Sequence, residues 1–108
     1  MGRDLLGEFE HQVLLTILRL GDEAYTAPIV LELEERTGRR TTLAAVYIVL
    51  CRLEKKGVVR SRVRGEVGEG GVRDRRYFRV TRLGVKRVRE ARIAYDRLWD
   101  GLEGICGL

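Results

Sequence analysis

A mainly α-helical fold carrying one small β-hairpin is predicted by the order of elements in this chain. Three observations carry that expectation. Residues 41–64 read TTLAAVYIVLCRLEKKGVVRSRVR, an amphipathic helical pattern that stops at Gly57 and passes at once into a basic, alternating strand. A glycine-rich stretch follows, and then a second strand-like run with Tyr77, Phe78 and Val80. Two helical patterns precede residue 41 and one follows residue 80. This succession is that of a winged helix-turn-helix: a three-helix core, a two-stranded wing and an additional C-terminal helix. Residues 1–80 are expected to form the winged helix-turn-helix DNA-binding domain, and 81–108 a C-terminal dimerisation helix, the two making one compact unit.

Taken in order, the first helix is expected from about Leu5 to Leu20. Leu6, Phe9, Val13, Leu14, Ile17 and Leu18 recur at three- and four-residue spacings, and Gly21-Asp22 ends the pattern. Ala24-Tyr25 has room for a very short strand pairing with the wing. Thr26 is placed to cap a second helix with Pro28 in its first turn, Ile29, Val30 and Leu33 as its buried stripe and Thr37-Gly38 as its end. The third helix is capped by Thr41 or Thr42 and runs to about Lys56, with Leu43, Val46, Leu50 and Leu53 facing inward. A strand over Val58–Arg64, a loop over Gly65–Asp74 and a return strand over Arg75–Val80 make the wing. Thr81 caps the last helix, expected from Arg82 to about Gly101.

That last helix carries a second pattern. Val88, Ala91, Tyr95, Leu98, Leu102 and Ile105 alternate spacings of three and four, an a/d seam of more than two heptads. A core this small has little room for another apolar helix face. The seam therefore predicts a partner helix, most simply from a second copy, with packing against the first helix of the same chain as the alternative; both can hold together.

The 108 residues suit one domain with one modest core. No apolar run reaches the roughly 18 residues of a membrane span, and the N-terminus lacks a signal-peptide apolar region, so no membrane partner and a cytoplasmic location are expected. Cys51 and Cys106 stand apart from each other and from the one histidine, His11, which leaves no metal-ligand spacing. No nucleophile accompanies His11, and the Glu34-Glu35 pair reads as solvated helix surface, so neither an enzyme nor a cofactor is expected.

Charge points to a polyanion. The net charge is +5, but residues 52–92 hold 15 of the 21 Lys and Arg and only 5 of the 16 acidic groups, a balance of +10 there against −5 elsewhere. Such asymmetry within one small domain predicts a basic face for double-stranded DNA. On the third helix, Thr41 and Thr42 can bond phosphate at the helix N-terminus, Ala45 permits close approach to bases, and Ile48 and Val49 can touch thymine methyls. Arg52 lies on the same outward side. Tyr47 sits at the rim of the buried stripe, suited equally to core packing and to phosphate contact. Residues 66–71, EVGEGG, do not cradle a nucleotide, because no Gly-Lys-Ser/Thr ending follows and no helix opens there. After them Arg73, Arg75 and Arg76 supply charge for phosphates or a minor groove.

Several of these motifs resemble the PadR family. Val46-Tyr47, Leu50, Arg52-Leu53-Glu54 and Gly57 are similar to its Tyr-containing recognition helix ending in Leu-Glu-x-x-Gly. Residues 6–10 followed by Val13-Leu14-Leu15 resemble its opening helix, and Arg75-Arg76-Tyr77-Phe78 with Thr81 and Gly84 its wing strand and final-helix start. The resemblance spans roughly residues 5–100 and implies a homodimeric winged-helix repressor. The final helix would lie in the dimer interface, and a palindromic operator would be released by a small aromatic effector in some members. It implies Trp99, with Tyr95 one turn earlier, as candidate effector-binding residues, since multidrug-sensing members are similar in placing a Trp at the dimer pore; interface packing is the other reading of Trp99. A winged-helix protein–protein interaction module without sequence-specific DNA binding is the rival to the whole account.

Overall fold

The computed structural model describes residues 6–105 and residue 107. The chain runs α1 (Glu8–Leu20), a single 3₁₀ turn (Gly21–Glu23), α2 (Thr26–Thr37), α3 (Leu43–Lys55), β1 (Val59–Gly68), β2 (Gly71–Val80) and α4 (Arg82–Trp99). Helices α1, α2 and α3 pack around one core, and the base of the β1–β2 hairpin closes it. Val13, Leu14 and Ile17 of α1, Ile29 and Leu33 of α2, and Val46, Val49, Leu50 and Leu53 of α3 are buried together with Val59, Phe78 and Val88. Each such side chain contributes roughly 1.5–3 kcal/mol by leaving water. The winged helix-turn-helix order expected from the sequence is therefore present.

Local chemistry explains most boundaries. Gly38, with φ 72°, ends α2 by donating its N–H to the Glu34 carbonyl at 2.9 Å. The Thr42 hydroxyl accepts from the Ala45 N–H at 3.0 Å and caps α3. Thr81 does the same for α4, accepting from Gly84 N–H at 3.1 Å, and its own hydroxyl donates to the Gly57 carbonyl at 2.7 Å. One threonine thus ties the start of α4 to the turn after α3. Gly84 is needed there because a Cβ would sit 2.3 Å from the Val58 carbonyl oxygen.

Several expectations are corrected. Helix α1 begins at Glu8, after Gly7, whose N–H donates to the Glu10 carboxylate at 2.9 Å; Leu5 lies outside the described residues, as does Cys106. Ala24-Tyr25 forms no strand, and its backbone meets the wing through one hydrogen bond, Phe78 N–H to the Ala24 carbonyl at 2.8 Å. Tyr25 is the N-cap of α2 and Thr26 its first residue. His11 is half-buried, and burial holds its imidazole below the usual pKa. Leu43 is exposed, whereas Val49 is buried and cannot reach a thymine methyl. Both errors come from one rotation of the helix face: the buried stripe is Val46, Val49, Leu50 and Leu53.

The expected loop over Gly65–Asp74 is mostly paired strand. The antiparallel register runs from Val59 opposite Val80 to Gly68 opposite Gly71, leaving only Glu69-Gly70 as the turn. Glycine is tolerated within β1 because a neighbour fills the space: a Cβ on Gly65 would lie 3.3 Å from Val72 Cγ1. Helix α4 stops at Trp99, so Leu102 and Ile105 of the seam fall in turns beyond it. No helix among the described residues is long and apolar enough to cross a membrane.

Candidate nucleic-acid interface

The outward face of α3 follows from its inward one. With Val46, Val49, Leu50 and Leu53 facing the core, Leu43, Ala44, Tyr47, Ile48 and Arg52 are left exposed. Ala45 is half-buried at the flank of this face, and Thr41 is half-buried just before the helix. Thr42 is exposed; its oxygen caps the helix, yet its proton is free to donate to a phosphate beside the unpaired first amides of α3. Tyr47 packs at the rim of the core and keeps an exposed edge. Its ring stands edge-on to buried Phe78, with centroids 6.4 Å apart, while 43% of the residue remains exposed.

Beside this face a shallow, wide-open concavity lies between three elements. Tyr25, Thr26 and Ala27 at the start of α2, Leu43, Ala44 and Tyr47 of α3, and Asp74, Arg75 and Arg76 of β2 line it. Leu43, Ala44, Thr26 and Ala27 were missed by the sequence reading. The signal that would have found the first two is the helical phase: choosing Val49 instead of Leu43 for the buried stripe turns Leu43 and Ala44 outward.

The wing arginines divide between the faces of the hairpin. Register places Arg73 opposite Glu66, Arg75 opposite Arg64 and Arg76 opposite Val63. Alternation then sets Arg73 and Arg75 on one face and Arg76 on the other. Arg76 donates through Nη1 to Ser61 Oγ at 2.9 Å, and that hydroxyl donates to Glu54 Oε2 at 2.7 Å, linking the wing to the end of α3. Arg60 pairs with Arg79 as Arg64 does with Arg75. Directly opposed like charges cost stability in a hairpin.

On the Arg64 and Arg75 face the cations are organised by aromatic rings. The Arg64 guanidinium lies 3.8 Å above the Tyr77 ring and that of Arg75 4.2 Å above Tyr25. The two tyrosines meet edge to face at 5.4 Å. Glu66 accepts from the Tyr77 hydroxyl and from Arg64 Nε at 3.1 Å, and pairs as an ion with Arg64 Nη2 at 3.0 Å. The hydrogen bond from Tyr77, followed by that from Arg64, holds the Glu66 carboxyl below its ordinary pKa.

On α4, Val88 belongs to the core of its own chain and Ala91 is half-buried. Tyr95 is 54% exposed, Leu98 69%, Trp99 43% and Leu102 39%, so the apolar surface of the seam lies beyond Ala91. A furrow between α1 and α2 also exposes Leu15 and Leu18, flanked by Thr16 and Leu33. No cluster of three metal-ligating side chains occurs among the described residues.

Comparison with known proteins places this geometry. The family described as "Transcriptional regulator PadR-like family" matches residues 14–90. A transcriptional regulator from Streptococcus is 31% identical, with a TM-score of 0.69 and 90% of each chain covered. A PadR family transcription regulator from Clostridium difficile shares the fold at a TM-score of 0.73 and 20% identity, covering 91% of this chain and 98% of that one. The ORC1 protein of Aeropyrum pernix, solved in complex with DNA, is 28% identical, with a TM-score of 0.60 over 86% of this chain and 26% of that chain. No curated protein matches.

Proposed function

This chain belongs to the PadR-like family of transcriptional regulators, and on that premise we propose that it is a cytoplasmic homodimeric repressor that reads a palindromic operator. The observation that carries this reading is the exposed side of α3 lying beside an arginine-bearing hairpin, the two flanking one concavity. A helix diameter fits the major groove, where Tyr47, Ile48 and Arg52 meet base edges and Thr42 meets phosphate. The wing arginines take the neighbouring backbone, as a sequence-independent clamp. The likeness to an ORC1 protein solved with DNA supports the same use of the fold.

The dimer in this reading is built on α4. Tyr95, Leu98, Trp99 and Leu102 expose more apolar surface than an isolated helix end in water favours. The furrow holding Leu15 and Leu18 offers a second copy a further apolar contact. Two reading helices related by a two-fold axis then engage half-sites about 34 Å apart. The test is selection of genomic fragments by the purified protein, followed by footprinting. Two protected half-sites one helical turn apart are expected, and random fragments with no common site would contradict the reading.

Trp99 extends this to a switch. Facing Trp99 and Tyr95 pairs across the axis would sandwich a flat aromatic molecule, and a ligand that prefers the wrong spacing of reading helices must weaken operator binding by the same factor that operator weakens it. Trp99 is the one tryptophan of the chain, so its fluorescence reports directly. Absence of saturable quenching by planar aromatics up to about a millimolar removes the switch while leaving the repressor. One observation favours the rival protein-docking reading: Leu43 and Ile48 make the outer face of α3 unusually apolar. Binding to DNA that ignores salt and sequence would support that rival.

A further inference from the structure

We propose that Glu66 is a positioning residue for DNA binding, a carboxylate inside the basic wing that strengthens the grip on a polyanion by fixing Arg64 and Arg75 in one array. The inference rests on the DNA-binding reading above.

A carboxylate beside a polyanion is expected to weaken binding through its own charge. Glu66 lies in a segment whose balance is +10, so its direct effect on an approaching phosphate is repulsive. Its surroundings argue for the opposite net effect. It is half-buried and gathers the Tyr77 hydroxyl and two nitrogens of Arg64. Arg64 is thereby pressed on the Tyr77 ring, Tyr77 against Tyr25, and Arg75 lies on Tyr25. Tyr25 is the N-cap of α2, so the array runs from the wing into the helix-turn-helix.

Two physical consequences follow. Arg64 and Arg75 are cross-strand partners, and their guanidinium groups would otherwise repel and turn away from each other. Glu66 and the two ring faces offset that repulsion. Both arginines also surrender side-chain freedom before DNA arrives, so binding does not have to freeze them. The array fixes the wing beside Tyr47, which shares the concavity with Tyr25 and Arg75.

The experiment is a salt-dependent binding titration of Glu66→Ala, Glu66→Gln and Tyr77→Phe on the footprinted site. Glu66→Ala is expected to weaken binding about tenfold although it removes a negative charge, because two arginines must then be ordered on binding. Its log–log salt slope should fall by about one to two as their phosphate contacts loosen. Glu66→Gln, whose amide oxygen still accepts, should recover part of the loss, and Tyr77→Phe should weaken binding with the wing folded. A double-mutant cycle of Glu66→Ala with Arg64→Ala should be strongly non-additive. Equal or tighter binding by Glu66→Ala and Tyr77→Phe with the wild-type slope would overturn the proposal while leaving the DNA-binding reading intact. Failure of the unsubstituted protein to bind any duplex in a salt-dependent way would overturn both.

Discussion

Glu10 is buried, and three hydrogen bonds meet its carboxylate: two from Lys56 Nζ, at 2.9 Å from both oxygens, and one from the Gly7 N–H. Burial pushes the carboxyl up, but the hydrogen bond from Lys56, that from Gly7 and the attraction of Lys56 and Arg52 together outweigh it and leave the pKa lowered. A lowered folded value means that the contribution is fully present above the ordinary carboxylate range. It is lost as pH falls through the lowered value. Lys56→Met should cost about 2 kcal/mol in denaturant unfolding at neutral pH, because it leaves a buried charge without its partner. Glu10→Gln should flatten the acid limb of stability against pH, and an unchanged limb would contradict the assignment. A second residue-scale test is Gly84→Ala. The new methyl would meet backbone at Val58 and Val80 Cγ1, so a loss of about 3 kcal/mol or a failure to fold is expected by thermal unfolding. Gly84 was legible as a motif position, its packing reason was not. Nor was the pair of Glu10 and Lys56, because 46 residues separate them and Glu10 in sequence is only another acid in a first helical turn.

The wing and α3 set the limits of legibility for whole elements. Gly38 announced the end of α2, and Thr42 and Thr81 the starts of α3 and α4, because their chemistry is local. The outer half of the hairpin was hidden because glycines read as loop, whereas here cross-strand neighbours such as Val67 and Val72 carry the pairing. The face of α3 was misjudged by one position because Leu43 and Val49 are equally apolar, and only the phase of the whole stripe separates them. Aromatic organisation of the wing was out of reach, since Tyr25 and Tyr77 meet only through the fold. The prediction for this element is that replacing Arg73, Arg75 and Arg76 together by Ala weakens binding to every duplex. The salt slope should fall by up to about three, one for each lost phosphate contact. An unchanged slope in an anisotropy titration would mean that the wing is no phosphate clamp.

At the scale of the molecule, an elongated shape of 57 × 30 × 20 Å accompanies an apolar stripe on α4 that no part of the described chain covers. The proposed dimer covers it. Leu98→Asp should yield monomers at micromolar concentration in light scattering, because the assembled form would bury an unpaired carboxylate. The unsubstituted chain should scatter as a dimer, and a monomer there would refute the α4 interface. Operator affinity should fall as dimerisation is lost, since one half-site supplies only part of the contacts. Sequence-specific recognition is the claim on which repression, dimer spacing and wing positioning all depend. Its most direct test is a titration of the purified protein against its footprinted site and against a scrambled duplex of equal length and composition, at about 150 mM salt, where non-specific attraction is largely screened. A preference of about a thousandfold or more for the footprinted site is expected of a specific DNA reader; equal affinity for the two duplexes would contradict the account.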